Sequence, residues 1–488
     1  MTSVQDIAQQ AEAWVLGTYR RMDALDVPAF SVRDTSGLVP GRTSRRARLH
    51  RLSTALPREI RPLADWLGVD GPGAGAGLSD PVCLALLLRY LSSPLRYEPG
   101  NVYHVHRAVP SARCVFPIDL LLSHVDQHGA RRTWLYHPDF HALEEIDRRG
   151  SGAGHAAGGQ MTITGIGRFW KMVRKYGDFS PFPVMLEAGM VLAQLRHLRG
   201  ALGWKGGVAD PAPMRRFCEG GLEFPVFSET IGQPAVDLAR LPTEDVVLAV
   251  HEASTAGVPR FGRLPLFMGL FDRPSGPAPA TSTSVVAPLE PDLVPAGRGF
   301  LETLRRRHSA NDIVGMAPRM DDEAGLLHGL ARLARRIGGR RDRVAGEERL
   351  DIVMLWPGRV APRCGVYDSG GRLLAGLERS RLATLLERAL PSPGLRYNLQ
   401  AHSVLVLFLA DPHADDMQEP FSFRDAHVAA GALAQDWCLA AAALDLFARP
   451  VRMLQEQVLE SALPVKGQVI YSLLCGSTRA TNVCAELL

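Results

Sequence analysis

Apolar residues crowd two places along the chain, and a similar kind of helix follows each. MTITGIGRFW (161–170) and SVLVLFLAD (403–411) read as strands, short apolar runs of the kind that fill a sheet. After the first, Val191, Leu195, Leu198 and Leu202 recur at helical spacing and predict a single apolar stripe. After the second, AHVAAGALAQDWCLAAAALDL (426–446) is rich enough in alanine to be buried on most sides. Upstream of these, TWLYHPDFHALEEI (133–146) predicts a short strand, a turn and the start of a helix. CGVYDSGGRLLAGL (364–377) repeats its tyrosine-turn-leucine order. Ala193-Gln194 and Ala434-Gln435 fall at corresponding places in the two helices. The echo predicts a degenerate duplication of one α+β unit; two unrelated units of similar composition are the alternative.

Three Gly- or Pro-rich stretches punctuate this pattern: GPGAGAG (71–77), RGSGAGHAAGGQ (149–160) and residues 273–299. They divide the chain into a mostly helical accessory region (1–80), a first half (81–272), a linker (273–299) and a second half (300–488). The basic runs RTSRRARLHR (42–51) and ARLARRIGGRRDR (331–343) read as solvated helix faces, with docking of an acidic peptide or partner as the minority reading. Composition adds limits. Of 488 residues, 46% are hydrophobic and 22% charged, a soluble globular profile. A net charge of +4 is too mild to argue for nucleic acid. No apolar run approaches the ~20 residues of a membrane span, and the N-terminus lacks the pattern of a secretory signal, so a cytoplasmic location is expected. Seven cysteines, none in a CxxC pair, exclude a disulfide framework and a structural zinc site. His104 and His106 in YHVHR share a strand face, but no third metal ligand is evident. GAGHAA (152–157) nearly fits a dinucleotide fingerprint, but it follows a predicted helix rather than a strand.

Two segments carry candidate chemistry. In RAVPSARCVFPID (107–119), Arg107 supplies a fixed positive charge, and the turn at Pro110 and Ser111 can aim a hydroxyl and backbone amides at an anion or a flavin edge. In LETLRRRHSANDI (301–313), three arginines end a helix ahead of a serine and an asparagine, a set suited to phosphate oxygens; a solvated basic face is the plain alternative.

Taken with WLYHPDFHALEEI, RKYG ahead of an apolar helix, RRRHSAND and VIYSLLCGSTR (469–479), these segments resemble the azoline dehydrogenases. Those are flavin mononucleotide (FMN) enzymes of the nitroreductase superfamily that act in thiazole/oxazole-modified peptide and thiopeptide biosynthesis. The resemblance covers residues 85 to 488 in patches. It implies a nitroreductase-like α+β fold with tandem halves forming a pseudo-dimer around FMN. It implies flavin contacts from Arg107, Pro110, Ser111, Ala112, Arg307, Ser309, Asn311, Gly476 and Arg479, and a catalytic pair, Lys175 and Tyr176. Three positions depart from the family pattern: Arg113 stands where glycine is usual, Asn311 where arginine is common, and Met190 where histidine is frequent. The two halves carry complementary pieces of the site, which predicts one intact composite site and one lapsed one.

The implied reaction removes a hydride equivalent and a proton from a thiazoline, or an oxazoline, in a ribosomally made peptide. FMN takes the hydride and oxygen then reoxidises it; a cyclodehydratase partner supplies the azoline. A free tyrosine ionises near pH ~10, and a neighbouring ammonium favours its phenolate by roughly one to three units. Tyr176 would then be the base and Lys175 its electrostatic partner, or the roles reverse if burial depresses the lysine. Two other readings stay open: a flavin oxidoreductase acting on a different peptide or small molecule, and a flavin-free scaffold subunit of a biosynthetic complex.

Overall fold

A computed structural model describes residues 42–68, 78–101, 103–126, 129–149, 161–176, 179–218, 222–232, 236–251, 294–310, 323–357, 364–389, 404–411, 423–452, 454–477 and 484–487. The chain opens with β1 (Arg42–Arg51), α1 (Leu63–Leu67), α2 (Asp80–Ser92), β2 (Arg96–Tyr97) and β3 (Val105–His106). It continues through β4 (Ile118–Val125), β5 (Arg131–His137), β6 (Ala142–Arg149) and β7 (Thr162–Arg168) to α3 (Phe169–Tyr176) and α4 (Pro181–Ala201). The first lobe closes with β8 (Gly207–Val208), β9 (Glu223–Thr230) and β10 (Thr243–His251). The second lobe runs α5 (Phe300–Arg306), α6 (Glu323–Gly338), β11 (Leu350–Trp356), β12 (Gly365–Asp368), β13 (Leu373–Gly376), α7 (Arg379–Arg388), β14 (Val404–Ala410) and α8 (Phe423–Ala443). It ends in β15 (Phe447–Val451), α9 (Glu456–Glu460), β16 (Gln468–Gly476) and β17 (Ala485–Glu486).

Both main sheets are antiparallel and wound alike. The first has the order β10-β1-β6-β5-β4-β7-β9-β8 and the second β13-β12-β11-β14-β16-β15. Leaving out β10 and β1, each strand of the first sheet has a counterpart at the same place in the second. The predicted buried strands are β7 and β14, and each precedes a helix of 21 residues.

Those helices, α4 and α8, form the centre of the molecule. The predicted stripe on α4 is buried, but so are its other faces, and Gly200 alone in it is exposed. Alanines 426, 429, 430, 432, 434 and 440 to 443 bury α8 as its composition predicts. Small residues let the backbones touch. A Cβ on Gly189 would overlap the carbonyl of Val428, and one on Gly431 would overlap that of Leu186. At the crossing, Gln435 Nε2 donates to Gln194 Oε1 at 2.9 Å, both side chains fully buried. A second reciprocal contact lies at the ends of α1 and α5: Leu63 N donates to Arg298 O (2.7 Å), and Phe300 N to Arg61 O (3.1 Å).

Several expectations need correction. Residues 42–51 are β1, not a helix face. From Arg46 to Leu49 the positions alternate, Arg46 and Arg48 out, Ala47 and Leu49 in, and Arg45, Arg48 and Arg51 pair with Glu144, Asp245 and Glu244 on neighbouring strands. Among the described residues of the accessory region, strand therefore sits beside short helix. ALEEIDRR is β6 rather than a helix start, because it pairs with β5 on one side and β1 on the other. GAGHAA, outside the described residues, thus follows a strand; the next element is β7 of an antiparallel sheet, so the parallel crossover of a dinucleotide site is still missing. The run 331–343 is not simply solvated: Arg336 Nε donates to Leu67 O (2.8 Å), and buried Arg341 pairs with Asp436 and Glu347 at 2.6 Å each. The linker's last residues, 294–299, are ordered against α1, with Gly299 bridging Pro62.

Candidate functional site

The segment between β3 and β4 is a loop with an unusual backbone. Its sequence, PSARCVFP, has no glycine, yet Arg113, Cys114 and Phe116 hold φ of 53°, 51° and 51°. The left-handed region costs a non-glycine residue about 1–2 kcal/mol, so the loop is held by its contacts. Ser111 Oγ supplies two of them. It accepts from Phe116 N at 2.9 Å and donates to Glu187 Oε2 on α4 at 2.5 Å. Arg107 lies with its guanidinium 3.9 Å from the Phe116 ring centroid and donates to Ser92 Oγ at 3.0 Å.

The second lobe delivers Arg307 to the same place. Just past α5, Arg307 Nη2 donates to Arg107 O and Nη1 to Ser309 Oγ, each at 3.1 Å. Arg96 of β2 clamps the segment by donating to the carbonyls of Arg305 (2.5 Å) and Arg307 (2.9 Å), and is itself balanced by Glu98 at 3.4 Å. Next to it, Ala448 N donates to His308 O at 3.1 Å, and β15 pairs on its other edge with β16, Phe447 opposite Gly476. Arg307, Ser309 and Gly476 are therefore brought to one end of β15. Asn311 and Arg479 lie outside the described residues.

Tyr176 ends α3, half-buried, its ring 6.3 Å from that of Phe179. The Arg113 guanidinium carbon stands 5.4 Å from the Tyr176 ring centroid. The loop that holds Ser111 thus also reaches the tyrosine. Lys175 is in the same helix, and its side chain is outside the described residues.

Electrostatics distinguish the members of this cluster. Burial lowers the Arg107 pKa, and burial with Arg96 nearby lowers that of Arg307 to about 10, which leaves Arg307 a cation at neutral pH. Burial raises Glu187 to about 8 against the pull of Ser111 and Arg107, which leaves it mostly protonated. Burial also raises Cys114 to about 11 and holds the Tyr471 phenol well above its usual value. His104 and His106 are used otherwise: His106 contacts Glu98 and Asn101, and no group of metal-ligating side chains occurs among the described residues.

Sequence reasoning missed Glu187, Arg96 and the reach of Arg113. A lone carboxylate inside the apolar run PFPVMLEAGMVL was the available signal for Glu187; nothing local marked Arg96. Glu187 yields a prediction. The folded protein keeps its proton while the unfolded chain releases it, so its contribution favours the fold below about 4.5 and is lost as pH rises to about 8. Glu187→Gln should flatten the decline in melting temperature across that window; equal slopes for both proteins would contradict the burial argument.

The residues suit an anionic, planar cofactor. Arg307 is buried and Arg107 half-buried, and the Nε atom of each is buried without a hydrogen-bond partner among the described residues, a state that a phosphate or a polar ring edge would relieve. No family model and no curated protein matches the chain. Among solved structures it is similar to a chain from Anabaena variabilis assigned to the nitroreductases, with 15% identity, a TM-score of 0.61 and coverage of 97% of this chain and 99% of that one. Two further similarities are slight. One is to a Ralstonia eutropha chain with the same assignment (17% identity, TM-score 0.29, 41% of this chain and 98% of that one). The other is to the Escherichia coli microcin synthetase McbBCD complex with truncated pro-MccB17 bound (14% identity, TM-score 0.27, 48% of this chain and 95% of that one). The first likeness fixes the fold as nitroreductase-like, mixed α/β, over nearly the whole length. No described helix is long and apolar enough to cross a membrane.

Proposed function

We propose that the protein is an FMN-dependent azoline dehydrogenase, oxidising thiazolines, and by the same chemistry oxazolines, to aromatic azoles in a ribosomally made peptide. One observation carries the reading: the loop at 107–117 links the Arg107–Ser111–Arg307 cluster to Tyr176 through Arg113. One short loop then carries anion-binding groups and also touches the proposed proton acceptor at the end of α3.

In this reading Arg107, Pro110, Ser111, Ala112, Arg307, Ser309 and Gly476 hold the cofactor, with Asn311 and Arg479 joining them. FMN, when bound, supplies the hydride acceptor. Tyr176 takes the proton from the adjacent ring carbon, and Lys175 favours the phenolate. Glu187, kept protonated, fixes Ser111 without adding negative charge beside an anionic cofactor. A cyclodehydratase partner makes the azoline.

The matching strand orders, the Gln194–Gln435 contact and the reciprocal bonds of Arg61–Leu63 with Arg298–Phe300 support a duplicated chain folded as a pseudo-dimer. The counterpart of the 107–117 loop is the segment before β11. There Arg341 is neutralised by Asp436 and Glu347, and Arg199 is tied to Glu229 and Asp342. Arg341 and Arg199 are thus committed to carboxylates, whereas Arg107 and Arg307 bond only neutral oxygens among the described residues, a contrast that supports one flavin per chain.

A synthetic thiazoline peptide incubated with the flavin-loaded protein in air tests the reading. Loss of two hydrogens per ring by mass spectrometry supports it. An unchanged peptide with a yellow, oxygen-reactive protein would assign the flavin site to another substrate, and a colourless protein that binds no FMN would favour a scaffold.

A further inference from the structure

We propose that Arg131 and Arg149, at the far end of the β5–β6 pair, form with Arg216 a docking site for an acidic stretch of the peptide substrate, remote from the ring being oxidised. That the stretch belongs to a substrate rests on the proposed function; the site itself does not. In the register of β5 and β6, Arg131 stands directly opposite Arg149, and Arg132 directly opposite Arg148. Like charges facing each other across a ladder destabilise it, and two such pairs in succession are a conflict between sequence and fold of the kind that accompanies function. The second pair is answered from within the sheet: Arg132 bonds Asp126 at 3.0 Å and lies 3.6 Å from Glu145. The first pair is not. Arg149 reaches Asp147 at 3.2 Å, but Arg216 of the segment Ala212–Phe217 takes the same carboxylate at 2.7 Å. Arg131 has no ion-pair partner among the described residues, so three arginines share one aspartate.

The surplus is local. Elsewhere in the same sheet, Arg45, Arg48 and Arg51 each have a carboxylate of their own. Beside Arg131 and Arg149, neither adjoining connection, 127–130 or 150–160, contains an aspartate or a glutamate. Arg131 and Arg149 are exposed and Arg216 is partly so. The Arg216 guanidinium carbon lies 4.6 Å from the Phe217 ring centroid. Burial lowers the pKa of Arg216, and Arg149 and Arg131 lower it further against the pull of Asp147. A carboxylate that bridges these guanidinium groups relieves their repulsion. The position selects a polypeptide. Arg131 pairs with Val125, the last residue of β4, and the cofactor loop ends just before the first, Ile118. The eight residues of β4 put roughly 24 Å between the two places. About seven extended residues cover that distance, and a small anion does not. An acidic stretch held here keeps a ring some seven residues away close to the loop, which raises its effective concentration there.

The probe is a rhodamine-labelled peptide of alternating glutamate and glycine, read by fluorescence anisotropy, with its glutamine counterpart as control. The wild type should bind the glutamate peptide, more weakly as salt rises, and not the glutamine peptide. The double variant Arg131→Gln with Arg149→Gln should bind roughly three- to tenfold more weakly. Its melting temperature should be no lower than that of the wild type, because the facing charges are gone. Arg48→Gln, which removes an exposed arginine that has its own carboxylate, should leave binding unchanged. On a thiazoline peptide with glutamates about seven residues from the ring, the double variant should raise KM by the same factor and keep kcat. Equal binding of the two probes, or undiminished binding in the double variant, overturns the proposal. Displacement by millimolar inorganic phosphate, beyond that by chloride of equal ionic strength, overturns it in favour of a small-anion site. Tighter binding of an oligonucleotide of equal charge overturns it in favour of nucleic acid. Retained binding of the glutamate probe by a protein that oxidises no azoline upholds the docking site and overturns the dehydrogenase reading instead.

Discussion

Tyr176→Phe should lower azoline oxidation by roughly two to four orders of magnitude while leaving FMN binding intact, the range typical of losing a positioned general base. The phenol sits at the end of α3, outside the helix core, and its ring remains packed against Phe179 when only the hydroxyl is removed. The substitution therefore removes the hydroxyl proposed as proton acceptor without opening a cavity. Lys175→Ala should produce a smaller loss at neutral pH and a rise in the apparent pKa of the acidic limb, because the phenolate forms less readily without a nearby ammonium. Steady-state kinetics on flavin-saturated protein separate these outcomes. Wild-type turnover in both variants would exclude the pair from the reaction.

The second large effect concerns the frame rather than the chemistry. Gly189 and Gly431 lie where α4 and α8 press backbone against backbone, and an added side chain would meet a main-chain carbonyl, not a flexible side-chain end. Gly431→Leu should cost more than the usual ~1–3 kcal/mol of overpacking, since neither helix can withdraw without uncoupling the Gln194–Gln435 contact and the lobes around it. Denaturant unfolding followed by far-ultraviolet circular dichroism would report a lower midpoint together with loss of flavin. An unchanged midpoint would mean that the crossing is looser than these contacts require.

Legibility in the sequence followed the range of the interaction. The strands at 161–170 and 403–411 and the two long helices were readable because apolar runs and alanine content are local properties. The paired Ala-Gln positions were readable only as an echo between the two helices; that each buried glutamine bonds the other at the crossing needed the packing of the helices. The strands β1 and β6 were misread for a complementary reason. Their charged residues look like solvated helix when viewed alone, and only the facing strand shows that Arg45 answers Glu144. At the site, Ser111 and Arg307 were legible as anion-binding types, and the fold brings them together through Arg107. Glu187 and Arg96 were missed because burial makes them matter: the first is held protonated, and the second fastens the segment that carries Arg307. The significance of Arg113 needed both its left-handed backbone and its distance from Tyr176.

The central claim is a single flavin held where the two lobes meet, by the Arg107–Ser111 loop and Arg307. Titration of the purified, flavin-stripped protein with FMN, followed by flavin fluorescence, addresses it directly in the wild type and in Arg307→Met. One FMN per chain, with binding lost in Arg307→Met while the circular dichroism spectrum is retained, is the predicted result. No binding, two equivalents per chain, or undiminished affinity in Arg307→Met would contradict it.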